Sequence, residues 1–228
     1  MSRITIVVIL ACVSFASAET LESVEKTLVE KFKAYKSLSA DVAMTVQISP
    51  GMGGEGKGTM EFLRDDGQEM VRTEIIMKMN FGGQLMESHT ASFFDGTDAY
   101  TIIETMGQKQ VMKMPASQAQ GRSGGKAFFT DLKRENELRL LPEETIDGIK
   151  VYVIEAKPKK PTPQAPGLTK FYFDKDKGFM VKMISLDAGG KTMVSLTMAN
   201  VKINPKLDAS RFVFKAPKGV KITDMTKM

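Results

Sequence analysis

The chain has 228 residues, 42% of them hydrophobic and 26% charged, with a formal net charge of +5. This length suits one large domain with its own core. Cys12 is the only cysteine, which excludes a disulfide within the chain. The basic residues are scattered without an aromatic-rich stripe, so we expect no nucleic-acid partner. A weak attraction to anionic membrane surfaces is a secondary interpretation.

The N-terminus has the pattern of a secretory signal. Arg3 precedes an apolar run over residues 4–13, and small residues end the segment at Ala18. The run is shorter than the ~20 residues that span a bilayer. We predict that residues 1–18 are a signal peptide cleaved after Ala18, leaving residues 19–228 as one domain that contains no thiol. The alternative is a lipoprotein cleavage box at residues 9–12, which would leave the chain lipid-anchored through Cys12.

Residues 20–36 predict the first helix. Leu21, Val24, Leu28 and Phe32 recur at helical spacing on one face, and Thr20 can cap the first turn. This pattern fits either an ordinary packing helix or a lid over a sheet, and the sequence does not decide between them.

Residues 71–79 alternate as a half-buried strand, with Val71, Thr73, Ile75, Met77 and Met79 on the inward side. The Met-x-Met spacing recurs at residues 112–114. Methionine is flexible and polarizable, so such a lining can repack around guests of irregular shape. Ordinary core packing explains the pattern as well, and a thioether site for Cu(I) is a further alternative.

The remaining chain predicts a series of short strands in an antiparallel meander. We predict strands over residues 42–48, 57–64, 85–94, 99–104, 111–114, 138–141, 151–156, 168–173, 179–186 and 192–203, and a second helix over 126–137. Residues 50–56, 115–125 and 158–167 are predicted as loops, and the first lacks the Lys-Ser/Thr ending of a phosphate loop. The count of ten or eleven strands indicates a mainly β, large antiparallel barrel or half-barrel.

No catalytic constellation emerges from the residues, so we predict that the protein is not an enzyme. His89 is the only histidine, and no acid–base partner can be named for it. The adjacent carboxylate pairs, at residues 65–66 and 143–144, fall in predicted turns, where acidic residues are common. We expect no metal and no cofactor.

The C-terminal segment carries the most specific pattern. A last long strand is followed by a polar turn, an Asp-x-Ser step, a Phe-x-Phe pair, a proline and a Gly-Val step before an acidic residue. These are Asn204, Asp208, Ser210, Phe212, Phe214, Pro217, Gly219, Val220 and Asp224. The segment resembles the closing signature of the periplasmic lipoprotein carriers, LolA and its relatives. Residues 20–39, residues 58–64, and Asp95-Gly96 followed by Tyr100 are similar to further parts of that family.

The resemblance implies an incomplete antiparallel barrel of about eleven strands, with helices covering its open mouth (α+β, mainly β). It also implies a monomeric periplasmic carrier that shields lipoprotein acyl chains between an inner-membrane donor and an outer-membrane acceptor. A lid with few fixed contacts would suit loading and release. The alternative is an envelope sensor or adaptor that uses the same fold to bind a partner protein.

Arg64 matches the arginine that holds the lid closed through backbone carbonyls in that family. The family's next residue is proline, whereas this chain has Asp65, a carboxylate that could take the guanidinium instead. This departure, together with the absence of tryptophan, points to a diverged relative whose guest is a phospholipid or glycolipid. The candidate lipid-binding cavity comprises Met44, Met60, Phe62, Ile75, Met77, Met79, Met112, Met114, Phe128 and Phe129.

Overall fold

The computed structural model describes residues 19–116, 125–161 and 166–226. The elements in chain order are α1 (Leu21–Lys33), β1 (Ser37–Ser49), β2 (Met52–Asp65), β3 (Gln68–Phe81), β4 (Gln84–Phe94), β5 (Ala99–Thr105), β6 (Gln108–Met114), α2 (Gly125–Glu135), β7 (Asn136–Ile146), β8 (Ile149–Pro158), β9 (Leu168–Asp174), β10 (Met180–Leu186), β11 (Thr192–Ile203) and β12 (Ile222–Asp224). No helix in the described ranges has the length and apolarity needed to cross a bilayer.

The strands form one sheet in the order β12-β6-β5-β4-β3-β2-β1-β11-β10-β9-β8-β7. Every neighbouring pair is antiparallel except β12 with β6, and the pairing of β1 with β11 joins the two halves of the chain. Strands β12 and β7 end the sheet without pairing with each other, so the barrel is incomplete. The predicted mainly β, open antiparallel fold with two helices is therefore confirmed, with the three-residue β12 as an additional strand.

Several predicted boundaries are wrong. Residues 52–56 belong to β2 rather than to a loop, because they pair with β3 as far as the turn at residues 50–51. Glu143 and Glu144 lie within β7, beside an irregular register, and not in a turn. Helix α1 ends at Lys33, three residues early, although Thr20 caps it as predicted by accepting the Ser23 backbone N–H at 3.2 Å. The predicted signal peptide, most of the loop at 115–125, and residues 162–165 lie outside the described residues.

Both helices cover one side of the sheet, which we call the inner face. It is the side that carries Phe62 on β2 and Phe171 on β9. The Phe32 ring of α1 packs on Phe62 with centroids 4.9 Å apart, and the Phe128 ring of α2 packs on Phe171 at 5.6 Å. The apolar stripe of α1, predicted from helical spacing, supplies buried Val24, Leu28 and Phe32 to this core.

The C-terminal segment crosses the opposite side, the outer face, which carries Glu61 and Phe93. Phe212, at the end of a short 3₁₀ turn, is fully buried, and Arg211 pairs with Glu61 at 2.8 Å. Phe214 stacks on Tyr100 at 4.1 Å between ring centroids. The residues of the C-terminal pattern therefore close the outer face, while the inner face keeps the helices.

Candidate functional site

All ten residues of the predicted cavity belong to the inner side of the sheet. Residues directly opposite in an antiparallel pair point to the same face. The register pairs Phe62 with Val71, Met60 with Thr73, Ile75 with Gly58, Met77 and Met44 with Gly56, Met79 with Gly54, Met112 with Thr101, and Met114 with Ala99. Phe128 and Phe129 reach the same side from α2, against Phe171 and Phe173. Whether this set binds lipid stays a prediction.

Burial divides the ten residues into two groups. Met60, Phe62, Ile75 and Phe129 are buried, at 1–9% exposure, and are packed by the protein itself. The other six are only partly buried: Met44, Met77, Met79, Met112, Met114 and Phe128. Of these six, Met44, Met77 and Met79 lie towards the hairpins that join β1 to β2 and β3 to β4, so this end of the inner face is half-exposed.

The half-exposed inner surface extends beyond the predicted set. The register adds Met86 opposite Met79, and Leu196 and Met183 in the same row as Met44. We define the half-exposed inner surface as Met44, Met77, Met79, Met86, Met183 and Leu196. The period-two alternation on β4, β10 and β11 contained this information, but only the pairing of β1 with β11 brings the two halves together.

Glycines underlie this surface on β2. Gly54, Gly56 and Gly58 alternate on the inner face, and a side chain at Gly56 would collide with the Met77 sulfur and approach the Ile75 methyl group at 3.1 Å. The Met79 sulfur lies 2.6 Å from where a Cβ of Gly54 would stand. Flexible methionine side chains therefore occupy the space above bare backbone, which gives a surface that can deform.

Arg64 holds the C-terminal end of α1. Its guanidinium donates to the carbonyls of Phe32 at 3.3 Å, Lys33 at 2.8 Å and Tyr35 at 2.6 Å. Its second terminal nitrogen pairs with Glu69 of β3 at 2.6 Å, not with Asp65 as the sequence suggested. The planar fork can satisfy several acceptors at once, including carbonyls that a helix leaves without partners at its end.

Helix α1 is also fixed along its length, so the expectation of a lid with few fixed contacts is wrong for it. Lys31 donates to the carbonyls of Lys175 and Asp176 at 2.9 and 2.6 Å, and Glu25 pairs with Lys133 of α2 at 2.8 Å. Ahead of the helix, the Tyr152 hydroxyl donates to Glu19 at 2.8 Å, which lowers the pKa of the Glu19 carboxyl. Movement of α1 would require several polar contacts to break together.

His89, for which the sequence suggested no catalytic partner, lies away from the half-exposed inner surface. His89 is exposed on the outer face, opposite Ile76 and Glu104, and Glu104 pairs with Lys109 at 3.4 Å. Within the described ranges, no group of three or more His, Cys, Asp or Glu side chains is arranged to hold a metal ion.

Comparison with known proteins gives structural matches only. No protein-family model matches the sequence, and no curated protein matches it. An uncharacterized conserved protein from Thermus thermophilus is 14% identical, with a TM-score of 0.55 over 89% of this chain and 98% of that chain. The LolA superfamily protein NE2245 from Nitrosomonas europaea is 12% identical, with a TM-score of 0.35 over 86% and 99%.

The match to the Thermus thermophilus protein, at a TM-score of 0.55, shows a shared fold. A LolA superfamily protein is among the structural matches, as the resemblance of the C-terminal pattern led us to expect. Another match is the complex structure of Pseudomonas aeruginosa MucA/MucB, 14% identical with a TM-score of 0.45, covering 83% of this chain and 59% of that chain. In this open sheet, the helices and the half-exposed inner surface share one side, which makes that side the candidate site.

Proposed function

We propose that this protein is a non-enzymatic periplasmic carrier that shields acyl chains of lipoproteins, or of a related phospholipid or glycolipid, for transfer towards the outer membrane. The observation that supports it best is the half-exposed inner surface, a contiguous apolar surface on the helix-covered side of an open sheet. Contiguous apolar surface that stays accessible to solvent often marks a binding site in soluble proteins.

The mechanism is burial of the acyl chain against this surface. Leaving the bilayer for water would cost roughly 0.8 kcal/mol for each exposed methylene, and burial against this surface offsets that cost, so the chain can leave the membrane without any covalent step. Methionine side chains can repack as the guest enters. Release then needs only a receiver that offers the chain an equally apolar environment.

Helix α1 serves as the gate in this proposal. It covers the filled end of the inner face, where Phe32 contacts Phe62, and Arg64 ties its last carbonyls to β2. Because Met60, Phe62 and Ile75 are already buried, a guest reaches them only if α1 shifts. The half-exposed inner surface would accept the chain first, and movement of α1 would deepen the site.

Native mass spectrometry of the protein isolated from the periplasm tests the proposal. A carrier should retain a bound acyl lipid, whose mass would identify it as a lipoprotein fragment, phospholipid or glycolipid. A lipid-free protein that also fails to bind a fluorescent fatty acid would contradict the carrier proposal. That result would favour the alternative of an envelope sensor or adaptor that binds a partner protein.

A further inference from the structure

A row of hydroxyl groups interrupts the apolar inner face. Thr73 of β3, Ser92 of β4 and Thr101 of β5 lie directly opposite one another in adjacent strands and therefore share the inner face. Their exposures are 7%, 5% and 8%. Met60 and Met112 flank them in the same row. We call these three residues the hydroxyl row.

The hydroxyl of Thr73 has an unmet hydrogen-bonding requirement. Ser92 Oγ and Thr101 Oγ1 lie 3.2 Å apart and bond to each other. Thr73 Oγ1 is inaccessible to solvent and has no hydrogen-bond partner in the part of the chain that the structure describes. Burying an unpaired hydroxyl is unfavourable, and native proteins hold few such groups. Valine has nearly the same shape and suits a strand equally well, so packing alone does not explain threonine here.

We propose that the hydroxyl row binds the carbonyl oxygen of an acyl ester or amide, with the Thr73 hydroxyl as the donor. This inference rests on the proposed lipid-carrier function and specifies how the lipid is oriented. When the carbonyl is bound at this row, the acyl chain lies along β3 over Ile75, Met77 and Met79. These three residues follow Thr73 on the inner face.

The dimensions fit an acyl chain. Met79 follows Thr73 by six residues, which corresponds to about 20 Å at ~3.4 Å per strand residue. Half of a bilayer's hydrocarbon core, the length that one acyl chain spans, is about 15 Å. The path therefore holds a chain of membrane length, beginning at the only buried side-chain oxygen without a partner among the described residues.

A matched set of lipids tests the orientation. We would measure displacement of a fluorescent fatty acid by an ester-linked phospholipid, by its ether-linked analogue with the same chains, and by an N-palmitoyl peptide, which offers an amide. The wild-type protein should bind the ester about fivefold more tightly than the ether, the change expected from one hydrogen bond. Displacement by the N-palmitoyl peptide would show that the site also accepts an amide-linked chain.

Variants assign the preference to Thr73. Thr73→Val should bind ester and ether equally, with unchanged affinity for the ether, and should be at least as stable as the wild type because it removes an unpaired hydroxyl. Thr73→Ser should restore the preference. Thr59→Val makes the same change on the outer face of the neighbouring strand, where Thr59 is exposed, and should keep it.

Two results overturn the inference. If Thr73→Val keeps the ester preference, or if the wild type never shows one, the hydroxyl row does not bind the carbonyl. Should Thr73→Val fail to fold, Thr73→Ala, which also removes the hydroxyl, must abolish the preference for the inference to hold. If the wild type binds none of the acylated probes, the carrier proposal itself fails. A wild type that binds ester and ether equally overturns only the hydroxyl row.

Discussion

Replacing Arg64 tests whether α1 is held as a gate. Arg64→Leu keeps an apolar stem but removes the donors to the carbonyls of Phe32, Lys33 and Tyr35 and the pairing with Glu69. Hydrogen bonds from a charged donor contribute roughly 1.5–3 kcal/mol each, although these four share one side chain that is 22% exposed. We expect the loss of all four contacts in Arg64→Leu to cost about 3 kcal/mol of the free energy that holds α1 in place. This loss raises the fraction of molecules with α1 released about 100-fold.

Most molecules should still be closed in this variant, because burial of three apolar side chains of α1 also holds the helix. Each of Val24, Leu28 and Phe32 contributes roughly 1.5–3 kcal/mol. Arg64→Leu should therefore fold and load lipid while releasing or transferring it abnormally. Arg64→Lys, which keeps the charge but loses the planar fork, should fall between the leucine variant and the wild type.

Hydrogen exchange resolved along the chain provides the measurement. Amides of α1 should exchange about 100-fold faster in Arg64→Leu, while those of β8 and β9 should change little. Glu69→Gln is the matched control, because it removes only the partly exposed ion pair, with an expected effect of roughly 0–1 kcal/mol. Unchanged exchange in α1 together with wild-type transfer from donor membrane to acceptor would refute the gate and leave Arg64 with a purely structural role.

Three further predictions address other parts of the structure. Burial raises the pKa of Tyr35 to about 12, so the native state keeps this proton while the unfolded chain loses it near its ordinary value of ~10. Stability should fall as the pH rises from about 10 to 12, and Tyr35→Phe should flatten that slope in urea unfolding. Phe212→Ala should lower the free energy of unfolding by about 3–5 kcal/mol, since Phe212 is fully buried. A loss below ~1 kcal/mol would show that the C-terminal segment does not stabilise the outer face. Oxidation of the methionines makes them polar and should weaken fatty-acid binding. The double variant Met77→Leu/Met79→Leu should keep more of its fatty-acid binding after oxidation than the wild type. An equal loss in both proteins would show that these two residues do not contact the lipid.

Local patterns in the sequence predicted much of the sheet because each strand carries its own alternation. The inward side of β3 could be read from residues 71–79, and hairpins such as Asp65-Asp66-Gly67 were visible from turn chemistry, with Asp66 and Gly67 both at positive φ. The start of β2 was missed because glycine-rich residues 52–56 have the composition of a loop. Their strand conformation depends on pairing with β1 and β3, which no local pattern encodes.

The candidate site was harder to predict because it depends on contacts distant in sequence. The identity of the acid beside Arg64 follows from the β2–β3 register, which places Glu69 opposite Arg64, and not from the adjacent Asp65. Met44 lies in the same row as Leu196 and Met183 only because β1 pairs with β11. Thr73 was predicted to point inward, but its lack of a partner is visible only once Ser92 and Thr101 are found bonded to each other.

The glycines of β2 give a last prediction, because two of them oppose different atoms. A Cβ at Gly58 would collide with the backbone carbonyl of Glu74, so Gly58→Ala requires β2 and β3 to separate. The three atoms nearest to a Cβ at Gly56 all belong to side chains, the sulfur of Met77 first, and that flexible side chain can rotate away. We expect Gly58→Ala to lower the free energy of unfolding by about 2–3 kcal/mol and Gly56→Ala by under ~1 kcal/mol.

The same pair of variants separates folding from binding. Gly56→Ala should displace Met77 over the half-exposed inner surface and weaken fatty-acid binding at nearly wild-type stability, as measured by fluorescence displacement and urea unfolding. Gly58→Ala should lose stability first, and its binding should recover where the folded state is restored by lower temperature. Equal destabilisation by both alanines would mean that Met77 cannot move. In that case the methionines form a rigid core, and the adaptable lipid surface that we propose would have to be abandoned.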